Sequence, residues 1–234
     1  KYFLDVNGYL KFKCTGEMVA EYSGASSYGL DLKKKQWMSV LSLTGLDMKK
    51  LPPLVKSTDQ IGSGLTEQAA QEMGLKPGTP VFGGCDDTQS ACIGSGMNSD
   101  GDIHIYLGTS AWVGAASRDK TQFKHGASAI QSADINMNLI VGITEAAGSN
   151  IQWLIDQFFR QEQKELGDGI YSYMDKVIET IPPGSDHLLC TPWMLGERCP
   201  VSSTTTRATL FNIGPEHTRE HLMRAVYEGI GYNL

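Results

Sequence analysis

Residues 83–91 read Gly-Gly-Cys-Asp-Asp-Thr-Gln-Ser-Ala, and shortly downstream residues 107–111 read Leu-Gly-Thr-Ser-Ala. Adjacent carboxylates repel each other and add nothing to a core, so Asp86 and Asp87 need a reason to stand together after an apolar run. A strand that ends in two glycines and turns into a helix of small residues would project Asp86 at the carboxyl edge of a sheet, where open α/β sheets bind ligands. An aspartate placed there can take the proton of an attacking alcohol, an effect worth roughly 10²–10⁴ in rate. The alternative is a helix N-cap, and both hold if Asp87 or Thr88 caps while Asp86 does chemistry. In the second stretch Gly108 lets the backbone bend so that successive amides converge. Thr109 and Ser110 add hydroxyl donors, which makes a nest suited to anionic oxygens; a plain hairpin turn is the blander reading. A third small-residue turn, Ala-Ala-Gly-Ser-Asn-Ile-Gln-Trp at 146–153, opens a helix and suits phosphate or ribose approach. No GxxxxGK[ST] loop occurs, so this is not a Walker A site.

The chain around these turns has 234 residues and 41% apolar content, enough to bury a core. Twenty basic against 26 acidic residues give a net charge of −6, and no basic cluster exceeds the three lysines at 33–35. That argues against nucleic acid as a partner, and the lysine run reads as a solvated helix start. Apolar runs such as 139–143 fall far below the ~20 residues a membrane helix needs, so no membrane is expected. Five cysteines without a Cys-x-x-Cys spacing indicate neither a disulfide framework nor a zinc site, and a reducing cytoplasm is the economical location. His217 and His221 lie four apart in an amphipathic helix end and are assigned no metal.

The elements that must position the turns follow from periodicity. Trp37, Val40 and Leu41 predict a helix over 33–44, stopped by Gly45. A Pro/Gly/Ser-rich connector follows from Leu51, then a helix over 66–74 with Thr66 as cap and Gly74 as stop. Strands are predicted at 79–84, 103–107, 112–116 and 139–143. Three helices complete the pattern: 151–162 capped by Asn150, 169–181, and one from about Thr218 to Leu234. The domain boundary is expected at 77/78, between 1–77 and 78–234. The first residues lack an initiator Met and the last helix lacks a stop, so the chain reads as a piece of a longer protein.

Taken together, "TPVFGGCDDTQSACIGSG" and "DGDIHIYLGTSAWVG" resemble the FGGY family of carbohydrate kinases, which shows a Gly-Gly-x-Asp stretch, a small-residue helix and then Leu-Gly-Thr-Ser. "YLKFKCTGEMVAEYSGASSYGLD", "EAAGSNIQWLID", "TPWMLGERCP" and "HTREHLMRAVYEGIGYNL" are similar to further family segments, in order along almost the whole chain. The resemblance implies an α/β fold of the actin–hexokinase–Hsp70 type, with ribonuclease-H-like lobes. Residues 1–77 would then end the first lobe and 78–234 begin the second. It implies Asp86 as the acceptor of the sugar hydroxyl's proton, Asp87 beside the substrate, and Gly108, Thr109 and Ser110 as a phosphate loop. Gly148 and Gln152 match nucleotide-contacting positions, and ATP with Mg2+ is the implied cofactor pair, with no direct metal ligand assigned. The family's first phosphate loop would precede Lys1 and its adenine-binding stretch would follow Leu234, so these 234 residues alone are expected to be inactive. Ala111 stands where the family usually has glycine, and Asp87 where many members have Asn or Gln. Glu197 and Arg198 read as a buried structural ion pair, with a sugar-ligand role as the alternative.

The implied activity is ATP-dependent phosphorylation of a sugar or polyol, with xylulose the first guess and glycerol, gluconate and ribulose open. A homodimer is left open as well. Two other classes compete: a non-catalytic relative that binds sugar or nucleotide, and a phosphate-ester hydrolase using Asp86 and Asp87. A non-catalytic relative would have lost Asp86, which this chain keeps. The hydrolase would need further carboxylates for two metals, and Asp100 and Asp102 sit in a turn that reads as solvated.

Overall fold

Asp5 opens the first helix, α1 (Val6–Thr15), by accepting the Gly8 amide at 2.6 Å, and Gly16 ends it in the left-handed conformation. The computed structural model describes residues 2–119 and 125–234. It continues with β1 (Ala20–Glu21), α2 (Tyr22–Ser26), β2 (Leu30–Asp31), β3 (Gln36–Trp37) and β4 (Leu54–Val55). β1 pairs in parallel with β4, and β2 antiparallel with β3. The helix predicted over 33–44 is therefore replaced by a hairpin strand and a 3-10 segment at Ser39–Thr44, which Gly45 does terminate. The lysine run is the hairpin turn, its Lys33 and Lys34 amides donating to Asp31 Oδ1. Trp37 is pinned from outside the segment. Its indole N–H donates to the Pro52 carbonyl at 2.9 Å and its ring packs against Tyr28. Such anchors override a weak local helical preference.

The connector ends at α3 (Glu67–Met73), which starts and stops where the sequence predicts. The Thr66 hydroxyl accepts the Ala69 amide at 3.2 Å, and Gly74 takes the left-handed conformation. Thr66→Ala is expected to cost about 1 kcal/mol, seen as a lower urea midpoint with an unchanged slope. The apolar run at 79–84 forms no regular strand. It follows the connector through Ile61 N–H to Val81 O, Leu65 N–H to Thr79 O and Gly83 N–H to Asp59 O. The approach is too close for a side chain at Gly83, where a Cβ would stand 2.1 Å from the Lys56 carbonyl oxygen. α4 (Asp87–Gly94) begins directly afterwards.

A four-stranded sheet follows, built from β5 (Ile103–Leu107), β6 (Ala111–Ser117), β7 (Ser128–Gln131) and β8 (Asn138–Thr144) in the order β5-β6-β8-β7. Then come α5 (Gly148–Phe158), α6 (Arg160–Leu166), α7 (Ile170–Glu179), β9 (Leu189–Thr191), β10 (Thr209–Phe211) and α8 (Arg219–Asn233), with β9 and β10 antiparallel. The helix predicted over 151–162 is broken at Phe159, whose φ of −129° and ψ of 32° leave the helical region. The break carries the Phe159 ring into the core, beneath the Arg219 guanidinium. Asn150 is not the cap. It lies inside the first turn of α5, and its side-chain amide donates to the Pro192 carbonyl.

Contacts gather the chain into two units. One comprises Lys1–His104, Gly114–Phe123 and Ser128–Ile140; the other comprises Ile105–Val113, Lys124–Ala127 and Val141–Leu234. In the first, Leu65, Ala69 and Ala70 pack with Cys14 and Val81. In the second, Leu154, Ile155, Phe159, Met174, Leu188 and Met223 join α5, α7 and α8 in one core. Among the described residues, no helix is long and apolar enough to cross a membrane.

Candidate active site

In the first unit Asp86 is itself the N-cap of α4, its Oδ1 accepting the Gln89 amide at 2.8 Å. Asp87 is the first helical residue, exposed, with its Oδ1 on the Thr88 amide. The cap expected at Asp87 or Thr88 thus falls on Asp86 itself, and Oδ2 is the oxygen not used by the cap. Partial burial pushes the Asp86 carboxyl pKa up. The Gln89 amide opposes this, and the charges of Asp87 and Glu21 reinforce it. A cavity of about 610 Å³ is lined by Asp86 and Asp87 together with Asp5, Asn7, Ser27 and Tyr28.

Next to Asp86 lies a buried carboxylate that no spacing singles out. Glu21, 2% exposed, caps α2 with Oε2, which accepts the Ser23 amide at 2.8 Å, the Gly24 amide at 3.3 Å and the Ser23 hydroxyl. Its Oε1 accepts the Ser57 hydroxyl at 2.9 Å, and the Ser23 oxygen in turn accepts the Asp86 amide at 3.0 Å. The signal available in the sequence was a lone acid inside "MVAEYS", just ahead of the small residues of α2.

In the second unit Gly108, Thr109 and Ser110 join β5 to β6, and the Gly108 amide donates to the Ser110 carbonyl at 2.9 Å to close the turn. This turn is laced to the start of α5. The Ala147 and Ser149 amides donate to Thr109 O at 2.9 and 3.1 Å, and the Gly148 amide donates to Gly108 O at 2.9 Å. At Gly148 a Cβ would stand 2.7 Å from the Gly108 oxygen, so the junction requires glycine. Among the described residues no side chain caps α5; the Gly108 and Thr109 carbonyls take its first amides instead, and beside them lies a cavity of about 470 Å³ lined by Gly108, Thr109, Gly148, Ser149, Gln152 and Tyr171. Ser110 shapes the turn but does not line that cavity. Gln152 is held at both ends: its Nε2 donates to Asp156 Oδ1 at 2.7 Å, and its Oε1 accepts the Tyr171 hydroxyl. An apolar cavity of about 370 Å³ shares Gly108, Gly148 and Tyr171 and adds Ile151, Tyr227 and Ile230. Ala111 sits buried at the start of β6, where its amide and carbonyl both bond the Thr144 hydroxyl at 3.2 Å. A strand position of this kind asks for no glycine.

The other candidates are occupied by structure. Glu197, 4% exposed, accepts the Glu145 and Arg198 amides at 2.9 and 2.7 Å and the Asn233 side chain at 2.9 Å. Arg198 pairs with Glu145, so the ion pair expected between Glu197 and Arg198 is replaced by two separate bonding patterns. Asp102 accepts the Asn98 and Ser99 amides, and Asp100 the Arg118 amide. His221 accepts the Thr218 amide in the capping box of α8. Among the described residues, no group of three His, Cys, Asp or Glu gathers to hold a metal ion.

Comparison with known proteins fits this arrangement. Residues 1–94 match the model of the N-terminal domain of the FGGY family of carbohydrate kinases, and residues 103–234 match that of the C-terminal domain. Xylulose kinase of Bacillus subtilis (strain 168) is 31% identical over 99% of this chain and 46% of its own length. Gluconokinase of the same organism is 29% identical over 100% of this chain and 46% of its own. The crystal structure of xylulose kinase from Rhodospirillum rubrum aligns with a TM-score of 0.84 at 25% identity, over 95% of this chain and 44% of that one. The chain spans about half the length of the curated relatives it matches. The fold is the α/β architecture of the actin–hexokinase–Hsp70 type that the motifs imply. The Asp86 stretch lies within the first matched domain, the Leu-Gly-Thr-Ser turn and the Gly148 helix lie within the second, and the chain belongs to the FGGY family of carbohydrate kinases.

Proposed function

We propose that the full-length protein transfers the γ-phosphoryl group of ATP to a hydroxyl of a sugar or polyol in the cytoplasm, with xylulose the first acceptor to test and gluconate the second. Relatives named xylulose kinase and gluconokinase support that order. The observation that carries the reading is Asp86, a half-buried carboxylate with one oxygen held by the α4 amide, lining a cavity wide enough for a sugar. On this reading Asp86 accepts the proton of the attacking hydroxyl, and Asp87 borders the acceptor. The raised Asp86 carboxyl is a better base than an ordinary surface aspartate, because a pKa nearer the working pH gives a stronger pull on the proton.

Gly108, Thr109, Gly148 and Gln152 hold the nucleotide, with Ser110 fixing the turn and with Tyr171 and Asp156 fixing the Gln152 amide. The residues present fit such a ligand, since the junction leaves no room for a Cβ and the buried Ser149 hydroxyl, without a hydrogen-bond partner among the described residues, belongs to a residue lining the same cavity. Bound ATP supplies the phosphoryl group and its leaving group, and Mg2+ enters this proposal through the phosphates rather than through a carboxylate of the chain.

Two measurements test the assignment. Full-length protein offered xylulose, ribulose, gluconate and glycerol should release ADP with one or two of them. Nucleotide binding without acceptor-dependent ADP release from any would favour the non-catalytic relative. Tyr171→Phe, which frees one end of Gln152, should raise the KM for ATP about three- to tenfold and leave that for the sugar unmoved. A change confined to the sugar KM would remove Gln152 from the nucleotide.

A further inference from the structure

The mechanism proposed above uses Asp86 but leaves unexplained why a second carboxylate, Glu21, is buried in bonding contact with its neighbours. We propose that Glu21 is a positioning residue for Asp86, acting through the Ser23 hydroxyl. The inference rests on the reading of Asp86 as the proton acceptor.

A serine hydroxyl has one proton to give. Ser23 gives it to Glu21 Oε2, so the same oxygen can only accept on its other side, and there it accepts the Asp86 amide at 3.0 Å. Glu21 therefore sets the direction of the bond that holds the Asp86 backbone. Its own place is set by four donors, the Ser23 and Gly24 amides and the Ser23 and Ser57 hydroxyls, a set that an acceptor-only carboxylate satisfies and no other side chain matches in full. Ser57 shares its single proton between Glu21 Oε1 and the Ala133 carbonyl at 3.0 Å. These partners come from far along the chain, since Ser57 is 36 residues from Glu21 and Asp86 is 63 from Ser23. The frame closes on the residue where the chain turns into α4. Asp86 is thus gripped twice: its amide by Ser23 and its Oδ1 by the Gln89 amide. Catalytic groups must be held to within a fraction of an ångström, and a supporting shell of bonds is what does this.

Glu21 also brings charge. Asp86 feels the carboxylates of Asp87 and Glu21, and in turn acts on the thiols of Cys85 and Cys92. Lys11, whose buried ammonium has no hydrogen-bond partner among the described residues, interacts through its charge with Asp5, Glu21 and Cys85. Removing the charge of Glu21 while keeping its bonds should therefore make Asp86 easier to ionise.

The test uses Ser23→Ala and Glu21→Gln in the full-length protein, beside Asp86→Asn. Glutamine keeps an oxygen for Ser23 and can turn its amide to Ser57, whose hydroxyl still reaches Ala133, so that variant should fold. Ser23→Ala should lower kcat roughly ten- to a hundredfold with the sugar KM within a few-fold of the parent. Glu21→Gln should move the acid limb of kcat/KM to lower pH, because the carboxylate near Asp86 is gone. A merely structural role would lower the plateau and leave the limb in place. An unmoved limb in Glu21→Gln, or a parental kcat in Ser23→Ala, with Asp86→Asn inactive, would overturn the positioning role alone. Parental kcat in Asp86→Asn would overturn the proton-acceptor reading and this inference with it.

Discussion

Asp86→Asn in the full-length protein is expected to lower kcat by roughly 10²–10⁴ while the sugar KM stays within a few-fold, the signature of a lost proton acceptor. The fold should survive the change. Asparagine keeps an oxygen for the Gln89 amide and caps a helix about as well as aspartate. Loss of activity with an unchanged unfolding midpoint would therefore separate the proposed chemistry from the capping that Asp86 performs. Asp87→Asn should cost about tenfold or less, since its carboxylate is exposed and, among the described residues, accepts the amide of Thr88 alone. Kinetics of the two variants on one accepted sugar decide the matter. Equal losses would point to a shared metal site, and a larger loss at Asp87 would reverse the assignment. The sign of the pH dependence follows from burial, which raises the Asp86 carboxyl. As pH falls through that raised range the proton occupies the acceptor, so kcat/KM should drop. Residual activity of the asparagine variant should show no such limb.

Gly148→Ala is expected to damage the nucleotide side in the same protein. Its Cβ would stand 2.7 Å from Gly108 O, 3.3 Å from Gly108 C and 3.7 Å from Thr109 Cα. All three are backbone atoms of a turn bonded to the Ala147, Gly148 and Ser149 amides, so nothing can rotate aside. Either the turn or the start of α5 must shift, at a cost of about 1–3 kcal/mol in stability. Losing the fit should raise the KM for ATP by roughly tenfold or more, with the sugar KM unaffected. Gly94→Ala is the matched control. It lies in α4 with nothing within 4 Å of its missing Cβ, and alanine favours a helix, so it should be neutral or slightly stabilising. Urea unfolding and nucleotide titration of the pair give the comparison. Parental affinity for ATP in Gly148→Ala would mean that the 108–110 turn does not cradle the nucleotide.

The parts legible in the sequence were those whose signals are local. Thr66 and Gly74 bracket α3, apolar spacing located α7 and α8, and strand patterning found β5, β6 and β8. The small-residue turns were legible for a related reason, because glycine marks close backbone approach. Gly108, Thr109, Gly148 and Gln152 do line one cavity. What escaped depends on contacts across long sequence separations. Trp37 reads as one face of a helix until the Pro52 carbonyl, 15 residues on, accepts a hydrogen bond from its indole N–H. Tyr171, 19 residues from Gln152, carries no spacing signal for its hydroxyl bond. Glu21 and Ser23 look like an ordinary start to a short helix, and their link to Asp86 exists only once the chain has folded. Phe159 fits the apolar stripe of a continuous helix, yet its ring is drawn into the core by leaving that helix.

The turn between β5 and β6 is joined to α5 by carbonyls and amides alone. Its contour therefore does not depend on which side chains stand at 109 and 110, so long as they are not bulky enough to foul the junction. Substitution at those two positions can change hydroxyl for methyl, or add a charge, while the loop keeps its shape. On the proposed nucleotide reading, sequence drift at 109, which lines the cavity, would retune which anion is preferred without a refolding penalty, whereas drift at 110 would not. The two glycines at the seam, Gly108 and Gly148, should stay fixed for as long as the pocket exists.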